Sequence, residues 1–286
     1  MTDTSPFNRR DGPVVPDGRT GERVLRPDCA TCAGLCCVAP AFAASADFAI
    51  DKPAGRPCPN LLADFRCGIH ASLRDRGFPG CVAFDCFGAG QRVTRETYGG
   101  LDWRADPDMA SRMFAAYSIV RQLHELLWYL REALEMRATR RLHPALQANH
   151  DETERLAGGD AGALAALDLT DHRRRVNDLL RSASALARAP SQGPRLDRRG
   201  ADLLAADLRA VDLRGSDLRG ANLIGADLRG VDLSLADITG ADVRGSDLRG
   251  TDLGGTLFLV QGQVESARGD RATVLPPSLR RPAHWS

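Results

Sequence analysis

Residues Ala201–Gly255 read ADLLA ADLRA VDLRG SDLRG ANLIG ADLRG VDLSL ADITG ADVRG SDLRG TDLGG. These eleven consecutive units repeat every five residues, and each has a small residue, then Asp or Asn, then an aliphatic residue. An α-helix would spread the aliphatic side chains around its surface, and a β-strand would alternate them between two faces. A chain that turns a corner after every unit brings each fifth side chain inward and closes a square coil after four units.

A coil of four units predicts four interior stacks, each built from aliphatic residues that lie 20 positions apart. Phe258 continues the aliphatic register past the last unit. The predicted stacks are Leu203/Leu223/Val243, Leu208/Leu228/Leu248, Leu213/Leu233/Leu253 and Leu218/Ile238/Phe258.

The A(D/N)LXX pattern of these units resembles the pentapeptide-repeat family. That resemblance implies a right-handed quadrilateral β-helix of about three coils over residues 200–260. In that fold the small residue two positions before each aliphatic residue fits a tight corner of the interior, and the Asp or Asn between them faces outward. At a spacing of about 4.8 Å between coils, the stack would be about 14 Å tall. Repeat stacks need capped ends. We expect residues 261–286 to form the C-terminal cap, with Trp285 as an apolar anchor against the coil.

Some pentapeptide-repeat proteins imitate DNA and bind DNA gyrase, and the charge of the repeat bears on that function. A stack about 14 Å tall would imitate only about eight phosphates of B-DNA. The ten Asp residues of the repeat are offset by six Arg residues, which leaves a net charge of −4. One arginine column, Arg209/Arg229/Arg249, runs beside an aspartate column, Asp207/Asp227/Asp247. Columns of opposite sign predict a self-neutralised face, which favours a protein-interaction scaffold over a gyrase-binding DNA mimic.

All eight cysteines fall within a short segment near the amino terminus. The first 20 residues lack the apolar core of a secretory signal, and the chain has no apolar run long enough to span a membrane. We therefore expect a cytoplasmic, reducing location, where clustered thiols more often bind metal than form disulfides. Soft sulfur ligands suit zinc or an iron–sulfur cluster. The candidate ligands are Cys29, Cys32, Cys36, Cys37, Cys58, Cys67, Cys81, Cys86 and His70.

Eight thiols exceed the four that one tetrahedral zinc requires. Either two metal sites exist, or one cluster is bound and the remaining thiols are redox partners or are simply buried. Cys36 and Cys37 are adjacent, and since neighbouring side chains diverge, we expect one of them to serve a second metal. His70 is either a ligand or an ordinary surface histidine. A disulfide-rich fold is a further alternative.

The order of the cysteines resembles a bacterial zinc- or iron-chelating domain family that begins CxxCxxxCC. The matching residues are Cys29-x2-Cys32-x3-Cys36-Cys37, then Cys58-Pro-Asn-Leu61, then Cys67-Gly-Ile-His70, then Cys81 and Cys86. The resemblance covers about 60 residues, and the 20-residue gap after Cys37 departs from it. It implies a bound metal, either structural zinc or a redox-active cluster. Related proteins, among them a flagellin lysine methylase, are thought to carry iron–sulfur clusters.

The sequence thus predicts an α+β protein of several parts. These are a flexible leader (1–27), a cysteine-rich metal-binding domain (28–100), a helical region (101–192), the repeat (200–260) and the tail (261–286). Apolar residues at three- and four-residue steps predict a long helix from Pro107, with further helices over 144–157 and 160–188 and a linker over 189–200. Lys52 is the only lysine beside 37 arginines, which is typical of a GC-rich genome.

These parts predict a metal-binding protein whose coil contacts a protein or peptide partner. The alternative function is an iron–sulfur oxidoreductase or modifying enzyme that acts on a peptide or protein docked on the coil. No catalytic residue emerges from the spacing of His, Ser, Asp or Glu. Direct nucleic-acid binding is not expected at a net charge of +1, and self-association is left open.

Overall fold

The computed structural model describes residues 25–191 and 195–285 of the chain. The predicted leader over 1–27 lies outside the described residues except at its end. There Leu25 is 4% exposed, and the Arg26 guanidinium donates to a backbone carbonyl of the C-terminal segment at 2.9 Å. The last residues of the predicted leader are therefore packed against the protein, and the linker over 189–200 is described only at its two ends.

Helices dominate the part before the repeat. The described residues form α1 (Leu35–Val38), α2 (Pro79–Ala83), α3 (Ala89–Arg92), α4 (Pro107–Glu135), α5 (His143–Ala157), α6 (Ala161–Ala165), α7 (Thr170–Arg188) and α8 (Gln261–Ser266). Tighter 3-10 turns cover Cys29–Thr31, His70–Ser72 and Arg137–Leu142, and a π-helical turn covers Val93–Thr97. No helix in this described part of the chain is both long enough and apolar enough to cross a membrane.

The long helix α4 begins where the sequence predicts it. Asp106 accepts a hydrogen bond from the backbone N–H of Asp108 at 3.0 Å, and Pro107 occupies the first helical position, where its missing N–H costs nothing. The prediction of one continuous helix over 160–188 is wrong, because two helices, α6 and α7, occupy this segment. The chain leaves helical geometry between α6 and α7, where Asp168 instead accepts from the N–H of Thr170.

The repeat forms a coil in which residues 20 positions apart lie side by side; we refer to residues 197–274 as the coil. Among the described residues these pairings are isolated parallel bridges and not continuous strands. Backbone N–H groups donate to carbonyls of the neighbouring turn, as Leu223 does to Asp242 at 2.8 Å. The bridges between residues 20 positions apart include Asp202↔Asn222, Asn222↔Asp242, Asp207↔Asp227, Asp227↔Asp247, Asp217↔Asp237 and Asp232↔Asp252.

The four predicted stacks are buried. Their central members, Leu223, Leu228, Leu233 and Ile238, are at most 2% exposed, and only Leu203 in the first turn is half-buried. The small residues two positions earlier line the interior corners as predicted; they include Ala221, Ala226, Ala236, Ser246 and Thr251. The coil is therefore held by contacts between side chains one full turn apart.

A tight turn closes each unit and explains why glycine recurs at its fifth position. The N–H of Ala226 donates to the carbonyl of Leu223 at 3.0 Å, and Gly225 between them has a φ of 65°. This left-handed backbone is readily adopted by glycine and is the third position of a type II turn. Leu235 takes the same backbone, with a φ of 60°, despite its side chain.

The coil extends beyond the recognisable repeat at its C-terminal end. Arg268 pairs with Asp247, and Val274 pairs with Asp252. The Thr273 hydroxyl donates to the carbonyl of Leu248 at 2.8 Å, just as repeat hydroxyls do one turn earlier. A partial fourth turn therefore follows the three predicted ones.

The C-terminal segment caps the coil, as predicted. Trp285 is 5% exposed and packs on the interior cluster of the coil. Its indole Nε1 donates to the carbonyl of Ala267 at 3.2 Å. The expectation of an apolar anchor at this residue is confirmed.

One face of the coil is covered by the helical region, so the expectation that every repeat Asp faces outward is wrong. Asp217 is 4% exposed and pairs with Arg188 of α7 at 3.2 Å, while Asp237 is 1% exposed. On α4, Glu132 accepts a hydrogen bond from the N–H of Phe258 at 2.5 Å. The helices and the coil therefore form one packed unit.

Candidate functional site

The eight cysteines come from three chain segments that the backbone ties together. The N–H of Cys58 donates to the carbonyl of Cys37 at 2.9 Å, and Leu61 pairs with Cys67 across an antiparallel bridge. The third segment carries Cys81 in α2 and Cys86 just before α3. We call these eight residues the thiol cluster; Cys58 is buried, Cys29 and Cys81 are exposed, and the others are half-buried.

Cys37 is the centre of the thiol cluster. The Sγ atoms of Cys36 and Cys37 are 3.9 Å apart, so the expectation that these neighbouring side chains diverge is wrong. The thiol of Cys37 lies within electrostatic range of thiols from all three segments, namely those of Cys29, Cys32, Cys36, Cys67 and Cys81.

The adjacent pair is electrostatically unequal. A hydrogen bond from Cys36 and the nearby ammonium of Lys52 lower the pKa of Cys37, against the opposing effect of burial. The same hydrogen bond, together with burial, raises the pKa of Cys36 well above its usual range. Burial raises the pKa of Cys81 and that of Cys86 to about 12. A bound cation would reverse these increases, because metal-bound thiols are deprotonated.

Backbone N–H groups are directed at three of the sulfur atoms. Such donors favour the charged thiolate over the thiol. The donors are Gly34 and Leu35 toward Cys32, Ile69 toward Cys67, and Gly88 and Gly90 toward Cys86. The loops that carry these cysteines are therefore shaped to accept negative charge on sulfur.

Lys52 is a functional candidate that the sequence analysis explained only by codon usage. Its side chain is 3% exposed, and its Nζ donates to the carbonyls of Val38 at 3.1 Å, Arg56 at 3.0 Å and Pro53 at 3.3 Å, and also to that of Pro40. Four thiols lie within its electrostatic range, those of Cys36, Cys37, Cys58 and Cys81. In the sequence, the one sign that Lys52 has a specific role is that it is the only lysine among 37 arginines.

The remaining candidate ligand stands apart. His70 is exposed and begins the single 3-10 turn that follows Cys67. Among the described residues, which include every cysteine, no three His, Cys, Asp or Glu side chains are already placed to hold a metal ion. The thiols are gathered, but they are not arranged at ligand distances.

The exposed faces of the coil carry paired charges. Arg209 donates from Nε and Nη2 to both carboxylate oxygens of Asp207, at 2.9 and 2.7 Å, and its Nε lies 3.4 Å from Asp227 on the next turn. These bonds hold the pKa of Asp207 at about 2. The same pairing joins Arg219 to Asp217, Arg229 to Asp227, Arg244 to Asp242 and Arg249 to Asp247. The prediction of a self-neutralised face is confirmed.

Comparison with known proteins shows the family to which the repeat belongs, and it finds a relative that is similar over most of the chain. Residues 199–223 and 216–255 match the family model for pentapeptide repeats, in eight copies. The uncharacterized protein YybG of Bacillus subtilis (strain 168) is 55% identical over 264 residues, which cover 91% of this chain and 95% of YybG. This chain is a pentapeptide-repeat protein of the YybG family.

The similarity to YybG extends well beyond the repeats. It covers 91% of the chain, whereas the repeat matches lie between residues 199 and 255. A solved structure is also similar to this member of the YybG family: the pentapeptide repeat protein Rfr23 from the cyanobacterium Cyanothece 51142. It is 25% identical, and the match covers 30% of this chain and 67% of Rfr23 with a TM-score of 0.17.

Proposed function

We propose that this protein binds zinc or an iron–sulfur cluster through its thiol cluster and presents its coil to a protein or peptide partner in the cytoplasm. The observation that carries the metal-binding part is the meeting of thiols from three distant segments around Cys37. Free thiols gain little from such a gathering, since burial makes their charged forms unfavourable. A soft metal ion would stabilise them.

The ammonium of Lys52 supports an anionic state of the cluster. A buried charge is costly unless it is paired. Backbone carbonyls satisfy the hydrogen bonds of Nζ and the ring of Phe42 lies 5.3 Å from it, but neither supplies a full negative charge. Four thiols lie within its electrostatic range. Thiolates held by a metal would supply the missing counter-charge, since four thiolates around a divalent ion carry a net charge of −2.

Metal binding would require only a contraction of the cluster. A zinc–sulfur distance of about 2.3 Å in tetrahedral geometry separates the sulfur atoms by roughly 3.8 Å. The sulfur atoms of Cys36 and Cys37, which are 3.9 Å apart, show that the backbone allows thiols of the cluster to approach this closely, whether or not the two bind the same ion. The other thiols would move from electrostatic range to ligand distance by side-chain rotation on loops that contain several glycines.

The coil supports a scaffold and not a DNA mimic. Exposed Asp residues such as Asp207 and Asp227 are bonded to Arg residues two positions later, and Asp232 is bonded to Arg214 of the preceding turn, so the faces do not present a row of free negative charge. A DNA mimic needs unpaired charges at regular phosphate-like spacing. A polar surface with fixed, alternating charges is suited to a protein partner of complementary pattern.

Metal analysis of the full-length protein, purified under anaerobic and reducing conditions, tests the proposed function. We expect at least one equivalent of zinc or of iron with sulfide. A colourless zinc protein supports a metal-stabilised scaffold, whereas a brown protein with visible absorption supports an iron–sulfur oxidoreductase or modifying enzyme. A folded protein that contains no metal, and takes none up from solution, would contradict both.

Replacement of Lys52 is expected to weaken metal binding about 10- to 100-fold, the usual effect of removing an outer-sphere partner. Lys52→Met keeps the length of the side chain but removes the charge that offsets the thiolates. Lys52→Arg is the control, because it retains the charge, and should bind metal more tightly than the Met variant. Affinity is measured by competition with a chromophoric chelator; equal affinities for wild type and Lys52→Met would refute the role of Lys52.

A further inference from the structure

The thiol cluster divides into two sets according to what each thiol packs against. Cys32, Cys36 and Cys86 pack on the apolar cluster formed by α1, α3 and α4. The backbone of Gly90 in α3 joins two of them: its N–H is directed at the sulfur of Cys86, and a Cβ at Gly90 would lie 2.5 Å from Cys32 Sγ. Glycine therefore permits these two cysteines to approach one another.

A buried hydroxyl marks the first set as a site for negative charge. Tyr117 of α4 belongs to the same apolar cluster and is 2% exposed, and its Oη is buried without a hydrogen-bond partner. The groups in its surroundings include the thiols of Cys32, Cys36 and Cys86. A buried donor without an acceptor is costly, and a thiolate of this set would provide the acceptor.

The second set is connected through Cys37. Cys37 and Cys58 are joined by a backbone hydrogen bond of 2.9 Å, and Cys67 is joined to the same loop by its bridge to Leu61. Cys81 lies within electrostatic range of Cys37, Cys58 and Cys67. Three of the four, Cys37, Cys58 and Cys81, lie within electrostatic range of the Lys52 ammonium, as Cys36 does, whereas Cys32, Cys36 and Cys86 lie near the neutral hydroxyl of Tyr117.

We propose that the thiol cluster is two adjoining four-thiolate metal sites. The inner site consists of Cys29, Cys32, Cys36 and Cys86, and the outer site consists of Cys37, Cys58, Cys67 and Cys81. Cys29 joins the inner site because the Cys29-x2-Cys32 spacing places both sulfur atoms within reach of one tetrahedral ion. Of the thiols within electrostatic range of Cys29, which also include Cys37 and Cys67 of the outer site, Cys32 has the largest effect. This inference rests on the proposed function and assigns the stoichiometry and ligands of that same centre.

The two sites meet at adjacent residues. Cys36 packs on the apolar cluster under α4, both thiols lie within electrostatic range of Lys52, and their sulfur atoms are 3.9 Å apart. Each divalent ion displaces the protons of its four thiols and forms a complex of charge −2. Tyr117 would donate to the inner complex, and the Lys52 ammonium would offset the outer one.

Titration of the reduced, metal-free full-length protein with Co²⁺ tests the division. Tetrahedral cobalt thiolates absorb in the visible region, and we expect absorbance to rise up to two equivalents. Cys86→Ser should remove the equivalent bound at the inner site and retain the outer site. Cys81→Ser should remove the other, and the double variant should remove both. In the Cys81→Ser variant, which keeps the inner site, adding Tyr117→Phe should weaken cobalt binding. In the Cys86→Ser variant, which keeps the outer site, the same substitution should leave cobalt binding unchanged.

The outcomes separate this inference from the proposed function. Saturation at one equivalent, or loss of all binding in either single variant, would overturn the two-site division while leaving metal binding intact. One iron–sulfur cluster per chain in the anaerobically purified protein would do the same. Absence of any cobalt or iron binding by the folded wild-type protein would overturn the proposed function itself. Because the wild-type titration needs no substitution, the inference can be tested even if a variant fails to fold.

Discussion

Replacement of Phe258 by Ala is expected to lower the free energy of unfolding by about 3–5 kcal/mol. Phe258 is 1% exposed and ends the stack that begins with Leu218 and Ile238. On the other side it packs in the apolar cluster of the helical region, with its ring 5.8 Å from that of Tyr129 in an edge-on arrangement. Truncation would therefore leave a cavity at the junction of the coil and the helices.

Urea unfolding followed by circular dichroism measures this effect. Phe258→Leu is the matched control, because it keeps an apolar group in the stack, and it should cost less than half as much. Leu204→Ala provides a second control in the repeat, since Leu204 is 58% exposed and its loss should change stability by less than about 0.5 kcal/mol. Equal effects of Phe258→Ala and Leu204→Ala would show that Phe258 does not join the two parts.

The interior of the coil could be predicted from sequence because its period of five is local and strict. Every stack member is one turn from the next, so the register of the repeat alone fixes the contacts. The partial fourth turn could not be predicted in this way. Thr273 and Arg268 take repeat positions, but α8 interrupts the five-residue spacing between them and Phe258.

The sequence named the candidate ligands, but it could not show how they are grouped. Cysteine identity and spacing pointed to metal ligands, whereas the division depends on which thiols face α4 and which face Lys52. Neither Lys52 nor Tyr117 belongs to a recognisable motif. Their roles follow from burial and from missing partners, which are properties of the folded chain. The same holds for Asp237, which appears in the sequence as one more outward-facing repeat residue but is buried by the helices.

Glu132 is expected to make the junction between the helices and the coil sensitive to pH. Burial raises the pKa of Glu132 to about 8, and the nearby carboxylates of Asp237 and Glu135 act in the same direction, while the N–H of Phe258 opposes them. Asp237 is itself buried, and its Oδ2 accepts no hydrogen bond, although Arg219 lies 3.7 Å away. Ionisation of Glu132 would therefore place a second negative charge beside a buried carboxylate.

The sign of the effect follows from the direction of the pKa change. A carboxyl whose pKa is higher in the folded state contributes its full stabilisation below the unfolded value near 4.5 and loses it as the pH rises through about 8. The free energy of unfolding should fall by about 3 kcal/mol between pH 5 and 8.5. This is less than the full pKa change would give, because the carboxyl retains some contact with solvent. Stability should fall over this range for that reason, whereas the low pKa values of the repeat Asp residues affect only strongly acidic conditions.

Glu132→Gln isolates this contribution, since the amide oxygen can still accept from the N–H of Phe258 and the side chain no longer titrates. The difference in unfolding free energy between the variant and the wild type should shift in favour of the variant as the pH rises from 5 to 8.5. Glu135→Gln, three residues later on the same helix and exposed, is the matched comparison. It removes only a neighbouring charge that raises the pKa of Glu132, so its difference from wild type should change much less with pH. A parallel pair of profiles for Glu132→Gln and wild type would mean that Glu132 is already ionised at neutral pH, and that the contact between α4 and the coil tolerates two adjacent negative charges.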